Sequence, residues 1–336
     1  MGAYLLKRIL WMVPTLVGIS FVTFLLMDLA PGNQAVVAAQ STSGDSAESV
    51  IVRHERAKAL MNQLGLTDSV TGEKRPMVDR YLRWLLNAAS LQFDGEAGDR
   101  FGRKILDALP VTMLINVLAL LLALSIAIPL GARAGMQSGG LVDRLSNYGA
   151  YVIYGMPEFL IATLLLLVFG GAFFAPVLPV VGLNSDDAVN MSTWQRVIDT
   201  GLHLILPVST LALGYGALLF RFLRGSVERA AGSDFALALR GYGMPEAVVR
   251  QRVLRNGLSP VVTILGTMLP VLVGGTVVVE SIFSLPGIGQ LTVQAVNQRD
   301  MALVMALTML VSVATLVSFV LSDIVQRVVD PRVELR

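Results

Sequence analysis

The sequence predicts an all-α, polytopic membrane protein with about six transmembrane helices. Of its 336 residues, 54% are hydrophobic and only 15% are charged, whereas soluble domains carry about 25% charged residues. The mean hydropathy is +0.67. Long apolar runs alternate with polar segments along the chain. We therefore expect a single transmembrane domain over residues 1–336.

Each apolar run is long enough to cross the hydrocarbon core, which takes about 17–25 residues of helix. The predicted spans are residues 9–29, 110–131, 148–169, 204–220, 261–279 and 302–321. The first run exceeds the apolar region of about 7–15 residues that signal peptides have, so we expect it to remain as a span. Pro110 is predicted to begin the second span, and a turn at residues 137–144 is predicted to lead to the third.

Basic residues concentrate on one side of the predicted spans. They are Lys7, Arg8, Arg133, Arg144, Arg221, Arg224, Arg229, Arg240, Arg250, Arg252, Arg255, Arg327, Arg332 and Arg336. The two short segments on the other side hold only Arg196 and Arg299, and the remaining ten lie in the long segment at residues 31–109, which the rule discounts because long segments translocate regardless of charge. Because short cytoplasmic loops carry an excess of Lys and Arg, we expect both termini in the cytoplasm. Residues 31–109 then form an extracytoplasmic loop region, in which residues 49–65 and 76–90 are predicted helices.

Several classes of function lack their usual residues. The chain has no cysteine, and its two histidines, His54 and His203, lack the spacing of a zinc site, so no metal site is predicted. Neither a phosphate-binding loop G-x-x-x-x-G-K-[ST] nor a nucleophile motif G-x-S-x-G occurs. We therefore expect neither enzymatic activity nor a cofactor in this chain. The net charge of +2, spread between spans, disfavours nucleic-acid binding.

A charged stretch at residues 233–260 lies between two apolar runs. Ser233 suits an N-cap, and Asp234 suits the first turn of a helix, where the helix dipole favours a negative charge. Three residues that interrupt helices follow: Gly241, Gly243 and Pro245. A second helix is predicted from Glu246. The pattern indicates a helix, a sharp turn and a helix in water, within a cytoplasmic coupling loop at residues 222–258.

This stretch resembles the cytoplasmic "EAA" loop of ABC-importer permeases of the dipeptide/oligopeptide/nickel branch. That loop reads roughly E-D-Y-V-R-T-A-R-A-K-G-L, then H-x-L-R-N and a proline. The matching positions are Asp234, Arg240, Gly243, Leu254, Arg255, Asn256 and Pro260, with Phe235 in place of the tyrosine. The departures are Ser233, Ala236, Leu237, Ala238, Leu239, Gly241, Tyr242, Met244 and Arg252. Without the resemblance, a solvated basic loop would explain the same charges.

The resemblance implies a type I ABC-importer permease fold in a bacterial or archaeal plasma membrane. It also implies four partners besides the lipid bilayer: a second homologous permease, two cytoplasmic ATPases that bind ATP and Mg, and an extracytoplasmic solute-binding protein. The family's substrates are di- and oligopeptides, with nickel chelates and some glycosides as variants. By the same resemblance, residues 234–244 form a coupling helix that fits a cleft on an ATPase.

The residues expected to contact the ATPase are Asp234, Phe235, Ala238, Leu239, Arg240 and Gly243. Phe235 and Leu239 are four positions apart and can share one helix face. With Ala238 they would form an apolar contact inside a basic frame. The alternative is that Phe235 packs against the permease's own membrane end.

Glu158 follows Pro157 inside the predicted third span. Charged residues within spans are costly and usually functional. The carboxylate could line a wet pathway and meet a cationic amino group. It departs from the Pro-Ser-Phe-Trp-like segment of the family, and the open alternative is an acid paired with a neighbouring helix or kept neutral by burial.

Residues 277–289, V-V-V-E-S-I-F-S-L-P-G-I-G, resemble the family's V-V-V-E-T-V-F-x-x-P-G-x-G. The resemblance implies that Glu280, Pro286 and Gly287 help to shape an outer gate. A structural turn, in which Glu280 satisfies exposed backbone donors, explains the same residues.

Two other classes of function stay open from the residues alone. They are a proton-coupled secondary transporter that uses Glu158, Glu280 or Asp323, and a passive assembly factor.

Overall fold

The computed structural model describes residues 2–29, 76–89, 96–171 and 178–329. Within them, the α-helices are α1 (Gly2–Leu29), α2 (Met77–Ala89), α3 (Glu96–Met136), α4 (Leu141–Gly155), α5 (Glu158–Phe169), α6 (Thr193–Ala231), α7 (Asp234–Gly241), α8 (Glu246–Gly257), α9 (Ser259–Gly274), α10 (Val277–Ile282), α11 (Ile288–Asn297) and α12 (Met301–Val329). A short 3₁₀-helix covers Asp186–Asn190. The all-α prediction is confirmed. The predicted helix at residues 76–90 is α2, and the one predicted at residues 49–65 lies outside the described residues.

The number of spans agrees with the prediction. Five helical stretches in the described part of the chain are long and apolar enough to cross a membrane, and α4 with α5 adds a sixth if the pair is one span. These assignments rest on length and composition. The sidedness of residues 31–109 and the single domain over residues 1–336 stay predictions.

The predicted third span is not one straight helix. It divides into α4 and α5, which meet at an angle of 107°. Met156 is extended, with φ −88° and ψ 132°, because the residue before a proline is pushed away from helical angles. Pro157 has no N–H to continue the helical hydrogen bonds. The break therefore sets Glu158 at the start of α5 instead of in the middle of a continuous helix.

Two spans begin earlier than their apolar runs suggested. Helix α3 does not begin at Pro110 but passes through it. Proline lacks one backbone donor, and the helix tolerates this loss because the surrounding residues stay helical. Helix α6 begins at Thr193, where the Ser192 and Gln195 side chains form a reciprocal capping box. It ends at Ala231, so the first ten residues of the predicted coupling loop continue the span. Hydrophobicity alone missed these amphipathic ends.

The chain divides into two compact units. The first comprises Met1–Leu6, Leu109–Gln290 and Ala314–Arg336, and the second comprises Lys7–Ala108 and Leu291–Val313. In the first unit, buried leucines of α6 form much of the core, and α3 contributes the fully buried Ala119 and Ala123. Small residues let helices approach closely in a membrane. A Cβ on Gly216 of α6 would touch Ala123, which shows how near the two backbones lie.

In the second unit, Asp28 at the end of α1 binds a side chain of α2. Its carboxylate accepts a hydrogen bond of 2.6 Å from Arg80 of α2. The adjacent Tyr81 donates to the Val17 carbonyl over 3.1 Å, and its ring meets Phe24 edge-on. Tyr81 belongs to the stretch Y-L-R-W-L, so this short polar helix is attached to the first span by both charge and aromatic packing.

Candidate functional site

The helix–turn–helix predicted at residues 233–260 is present as α7, a turn and α8. Gly243 has φ +73°, a backbone conformation that glycine adopts at little cost. Its N–H donates to the Arg240 carbonyl over 2.9 Å, and Pro245 occupies the N-cap position of α8. Ser233 takes the N-cap position of α7 with extended angles, but its hydroxyl donates to the Ala230 carbonyl instead of capping α7.

Helix α7 has a buried face and an exposed face. Ala236 is 0% exposed and Leu239 is 7% exposed, so both face the chain's own core. Leu239 therefore lies in the chain's own core and not on the exposed surface with Phe235, and its expected contact with an ATPase stays a prediction. The exposed side carries an apolar ridge of Phe235, Ala238 and Tyr242, and we call it the α7 ridge. Tyr242, which the prediction did not include, is 85% exposed.

The other predicted contact residues of α7 are exposed. Asp234 lies in its first turn and Gly243 in the turn that follows. Arg240 lies 3.4 Å from Glu246 of α8, and both side chains are about half exposed. The ion pair spans the turn and joins the two helices. Like other exposed pairs, it contributes little stability, so Arg240 stays free to exchange partners.

A cavity of about 520 Å³ lies beside this turn. Its lining includes Arg133 of α3, Arg240 of α7 and, on α8, Glu246, Arg250 and Val253. Glu246 lies 3.4 Å from Arg240 of α7 and 3.8 Å from Arg250 of its own helix. This end of the unit is thus basic around a recess, as the charge distribution of the sequence indicates.

Helices α4 and α6 are joined by an ion pair. The buried Asp143 accepts two hydrogen bonds from Arg224, of 2.8 Å and 2.9 Å, and a third from the Gly139 N–H. Arg221 lies over the rings of Tyr151 and Tyr154, 4.7 Å and 4.5 Å from their centroids. The sequence suggested none of these pairs, because their members are far apart in the chain.

Glu158 begins α5 and is partly buried. Among the described residues, no group forms a hydrogen bond or an ion pair with its carboxylate. Helix α5 packs against α6, which carries Tyr215. The Tyr215 hydroxyl donates to Asn116 Oδ1 over 2.8 Å. Pro157, directly before Glu158, is exposed at the break between α4 and α5.

Glu280 is buried at the other predicted gate position. Its carboxylate accepts from the Thr112 hydroxyl over 3.0 Å, from the Thr276 N–H over 3.2 Å and from the Gln290 N–H over 3.1 Å. Thr112 in turn accepts from the Ile288 N–H over 2.8 Å. Glu280 thus connects α3, the start of α10 and the start of α11.

The glycines around Glu280 follow from this burial. A Cβ on Gly287 would overlap the carboxylate and would lie 2.6 Å from the Thr112 hydroxyl. A Cβ on Gly289 would lie 2.9 Å from the carboxylate. Pro286 is exposed in the turn between α10 and α11. The backbone N–H groups that bond to Glu280 are the donors that the structural-turn interpretation requires. The gate role of Glu280, Pro286 and Gly287 stays a prediction.

Comparison with known families decides between the classes of function. Residues 127–335 match the family described as "Binding-protein-dependent transport system inner membrane component". The chain belongs to this family. The match includes α7, α8 and the Glu280 region. The family resemblance that the charged stretch indicated is therefore confirmed, and it extends over most of the chain.

Full-length relatives of this permease carry the names of importer subunits. It is 31% identical to the oligopeptide transport system permease protein AppB of Bacillus subtilis, over 99% of this chain and 100% of the relative. It is 30% identical to the peptidoglycan transport system permease protein YejB of Agrobacterium fabrum, over 99% and 98%. It is 28% identical to the metal-staphylopine import system permease protein CntB of Staphylococcus aureus, again over 99% and 98%.

Membership establishes three points about this permease. Its fold is that of type I ABC importers. It is a multi-pass inner-membrane transport component and not an enzyme. The importer interpretation is supported over the proton-coupled one, and importers of this kind work with ATPases and a substrate-binding protein.

Proposed function

We propose that this permease imports di- or oligopeptides across the plasma membrane of a bacterium or archaeon. It does so with a second homologous permease, two cytoplasmic ATPases that bind ATP and Mg, and an extracytoplasmic solute-binding protein. The oligopeptide relative and the extent of its similarity support the peptide substrate. No cofactor is assigned to this chain itself.

The observation that carries the proposal is the exposed α7 ridge. Phe235, Ala238 and Tyr242 are apolar or aromatic, and all three are exposed. The short helix is held to the core by Ala236 and Leu239, so a force on the ridge acts on the end of α6. A partner ATPase that covers the ridge would bury it and receive Asp234 and Arg240 at its edge.

The proposal includes an orientation. Both termini, α7 and α8 lie in the cytoplasm, where the basic residues concentrate. Residues 31–109 then lie outside, and the Glu280 turn with Pro286 and Gly287 is part of the outer gate. In each cycle, ATP binding closes the ATPases, the coupling helices move, and the pathway changes from inward-open to outward-open.

The test uses the whole complex, purified from detergent-solubilised membranes with its ATPases. Phe235→Ala removes the aromatic side chain from the ridge. Leu237→Ala removes a side chain that is also exposed, at 58%, but lies on a different side of α7. We expect Phe235→Ala to lose bound ATPase and peptide uptake, while Leu237→Ala keeps both.

Equal retention of the ATPases in both variants would refute the assignment of the ridge. A wild-type complex that binds its ATPases but moves no peptide would refute the peptide substrate alone. Uptake of a metal chelate in its place would favour the activity for which the staphylopine relative is named.

A further inference from the structure

We infer that the recess beside the turn between α7 and α8 binds the headgroup of an anionic phospholipid. The recess is the cavity of about 520 Å³ whose lining joins the end of α3 to α7 and α8, and we call it the basic recess. Its volume lies within the range of about 300–1,000 Å³ that ligand sites usually have. The inference goes beyond peptide import and takes from the proposed function only the cytoplasmic position of these helices.

The first argument is the charge of the basic recess. Its lining includes one acid, Glu246, and three arginines, Arg133, Arg240 and Arg250. Glu246 lies 3.4 Å from Arg240 and 3.8 Å from Arg250, so two cations share a single carboxylate. Arg133 forms no ion pair with any residue that the structure describes. The lining therefore has an excess of positive charge and favours an anionic ligand.

The second argument is the apolar part of the same lining. Beside the arginines, the recess is lined by Pro129 and Ala132 of α3 and by Val249 and Val253 of α8. Apolar surface is covered favourably by apolar groups, which a phospholipid has and a free phosphate ion lacks. The lining therefore suits an amphiphilic anion better than a soluble one.

The third argument is a stripe of exposed residues that leads along α3 to the basic recess. Its members follow at intervals of four, three and four positions, which places them on one face of the helix: Leu122, Ile126, Pro129 and Arg133. The first three are apolar, and Arg133 lies in the last turn of α3. The helix is long and apolar enough to cross a membrane over Gly102–Met136. An acyl chain that follows this stripe brings its headgroup to Arg133.

The expected side of the membrane agrees with a lipid ligand. The cytoplasmic leaflet carries anionic lipids, and basic pockets between transmembrane helices on that side bind their headgroups. Two arginines can hold one phosphate group through charge-assisted hydrogen bonds. Because Arg133 belongs to α3 and Arg250 to α8, a bound headgroup would join the end of the span to the second helix of the coupling loop. Arg240 would keep Glu246 as its partner.

The experiment titrates the complete complex, purified in detergent with its ATPases, and counts bound lipids by native mass spectrometry. The two lipids are phosphatidylglycerol, which is anionic, and phosphatidylcholine, which is zwitterionic. Arg133→Gln and Arg250→Gln each remove one charge from the lining. The matched control is Arg252→Gln, which removes an exposed arginine of α8 that does not line the recess.

We expect the wild-type complex to bind phosphatidylglycerol more tightly than phosphatidylcholine. Arg133→Gln and Arg250→Gln should each raise the Kd for phosphatidylglycerol about fivefold, the effect of one basic side chain near an anionic membrane surface. Arg252→Gln should leave this Kd unchanged. An excess of inorganic phosphate should leave the lipid bound, because the phosphate ion lacks the apolar part of the ligand.

Equal phosphatidylglycerol affinity in the three variants would overturn the inference. Displacement of the lipid by inorganic phosphate would overturn it too, since the recess would then be a site for soluble anions. Loss of the ATPases from Arg133→Gln and Arg250→Gln, with lipid affinity unchanged, would assign the recess to the ATPase contact instead. None of these measurements requires peptide uptake, so a failure of the proposed function in the uptake assay is distinguishable from a failure of this inference.

Discussion

Thr112 and Glu280 are 168 positions apart in the sequence and meet through a buried hydrogen bond of 3.0 Å. Both side chains are 0% exposed. The Thr112 hydroxyl donates to the carboxylate and accepts from the Ile288 N–H, so it serves as donor and acceptor at once. Only a hydroxyl can do both in this space. The pair fixes the turn between α10 and α11 against α3.

The first prediction concerns this hydroxyl. Thr112→Val keeps the shape of the side chain but removes the hydroxyl that accepts from the Ile288 N–H and donates to the buried Glu280. An unsatisfied buried group costs about 1–3 kcal/mol, so we expect a lower thermal unfolding midpoint for the purified complex. Thr112→Ser keeps the hydroxyl and should lie close to wild type. Equal midpoints for the valine and serine variants would contradict the role of the hydrogen bonds.

The second prediction concerns the glycines around Glu280. Gly287→Ala places a methyl group against the carboxylate and the Thr112 hydroxyl, and overpacking typically costs about 1–3 kcal/mol. We expect a reduced yield of folded complex, seen by size-exclusion chromatography with a fluorescent tag. Gly149→Ala on α4 has nothing within 4 Å of the new methyl group and is the control. A normal yield for Gly287→Ala would show that the turn relaxes easily.

The fold was predictable wherever its causes are local in sequence. Span lengths follow from apolar runs, and the helix–turn–helix follows from Gly243 and Pro245, whose backbone preferences act on their immediate neighbours. The break at Pro157 also had a local signal, but the apolar residues on both sides favoured one continuous span. Physically, hydrophobicity reports that a segment enters the membrane and says little about whether it bends there.

The candidate site was less predictable because it depends on distant partners. Glu280 was recognised from its motif, but nothing in the sequence singled out Thr112 as its donor. Leu239 was expected beside Phe235 at a partner contact, but helical spacing alone does not show which apolar side chains face the core, and Leu239 is buried there. Glu158 was found from its charge, whereas the arrangement of Tyr215 and Asn116 required the packing of α6 on α3.

The third prediction concerns the contact between α4 and α6. Replacing Asp143 by Asn leaves Arg224 without its main partner, and replacing Arg224 by Met leaves the buried Asp143 without its cation. Breaking a mostly buried pair is strongly destabilising, whereas replacing both partners is much less so. We expect the double variant to be more stable than the sum of the single losses predicts, by thermal unfolding of the complex. Additive losses would show that the two groups do not interact energetically.

The last prediction separates two arginines on α2. Arg80 is 7% exposed and pairs with Asp28 across to α1, whereas Arg83 is 61% exposed and pairs with Asp79 on its own helix. Arg80→Gln should remove the 2.6 Å ion pair with Asp28 and loosen α2, because the loss of one partner of a buried pair costs several kcal/mol. Arg83→Gln removes an exposed pair worth about 0–1 kcal/mol and is the matched control. Hydrogen exchange of the α2 amides in the complex measures the difference. We expect faster exchange only in Arg80→Gln, and equal rates in the two variants would mean that aromatic packing around Tyr81, not the ion pair, attaches this helix to the first span.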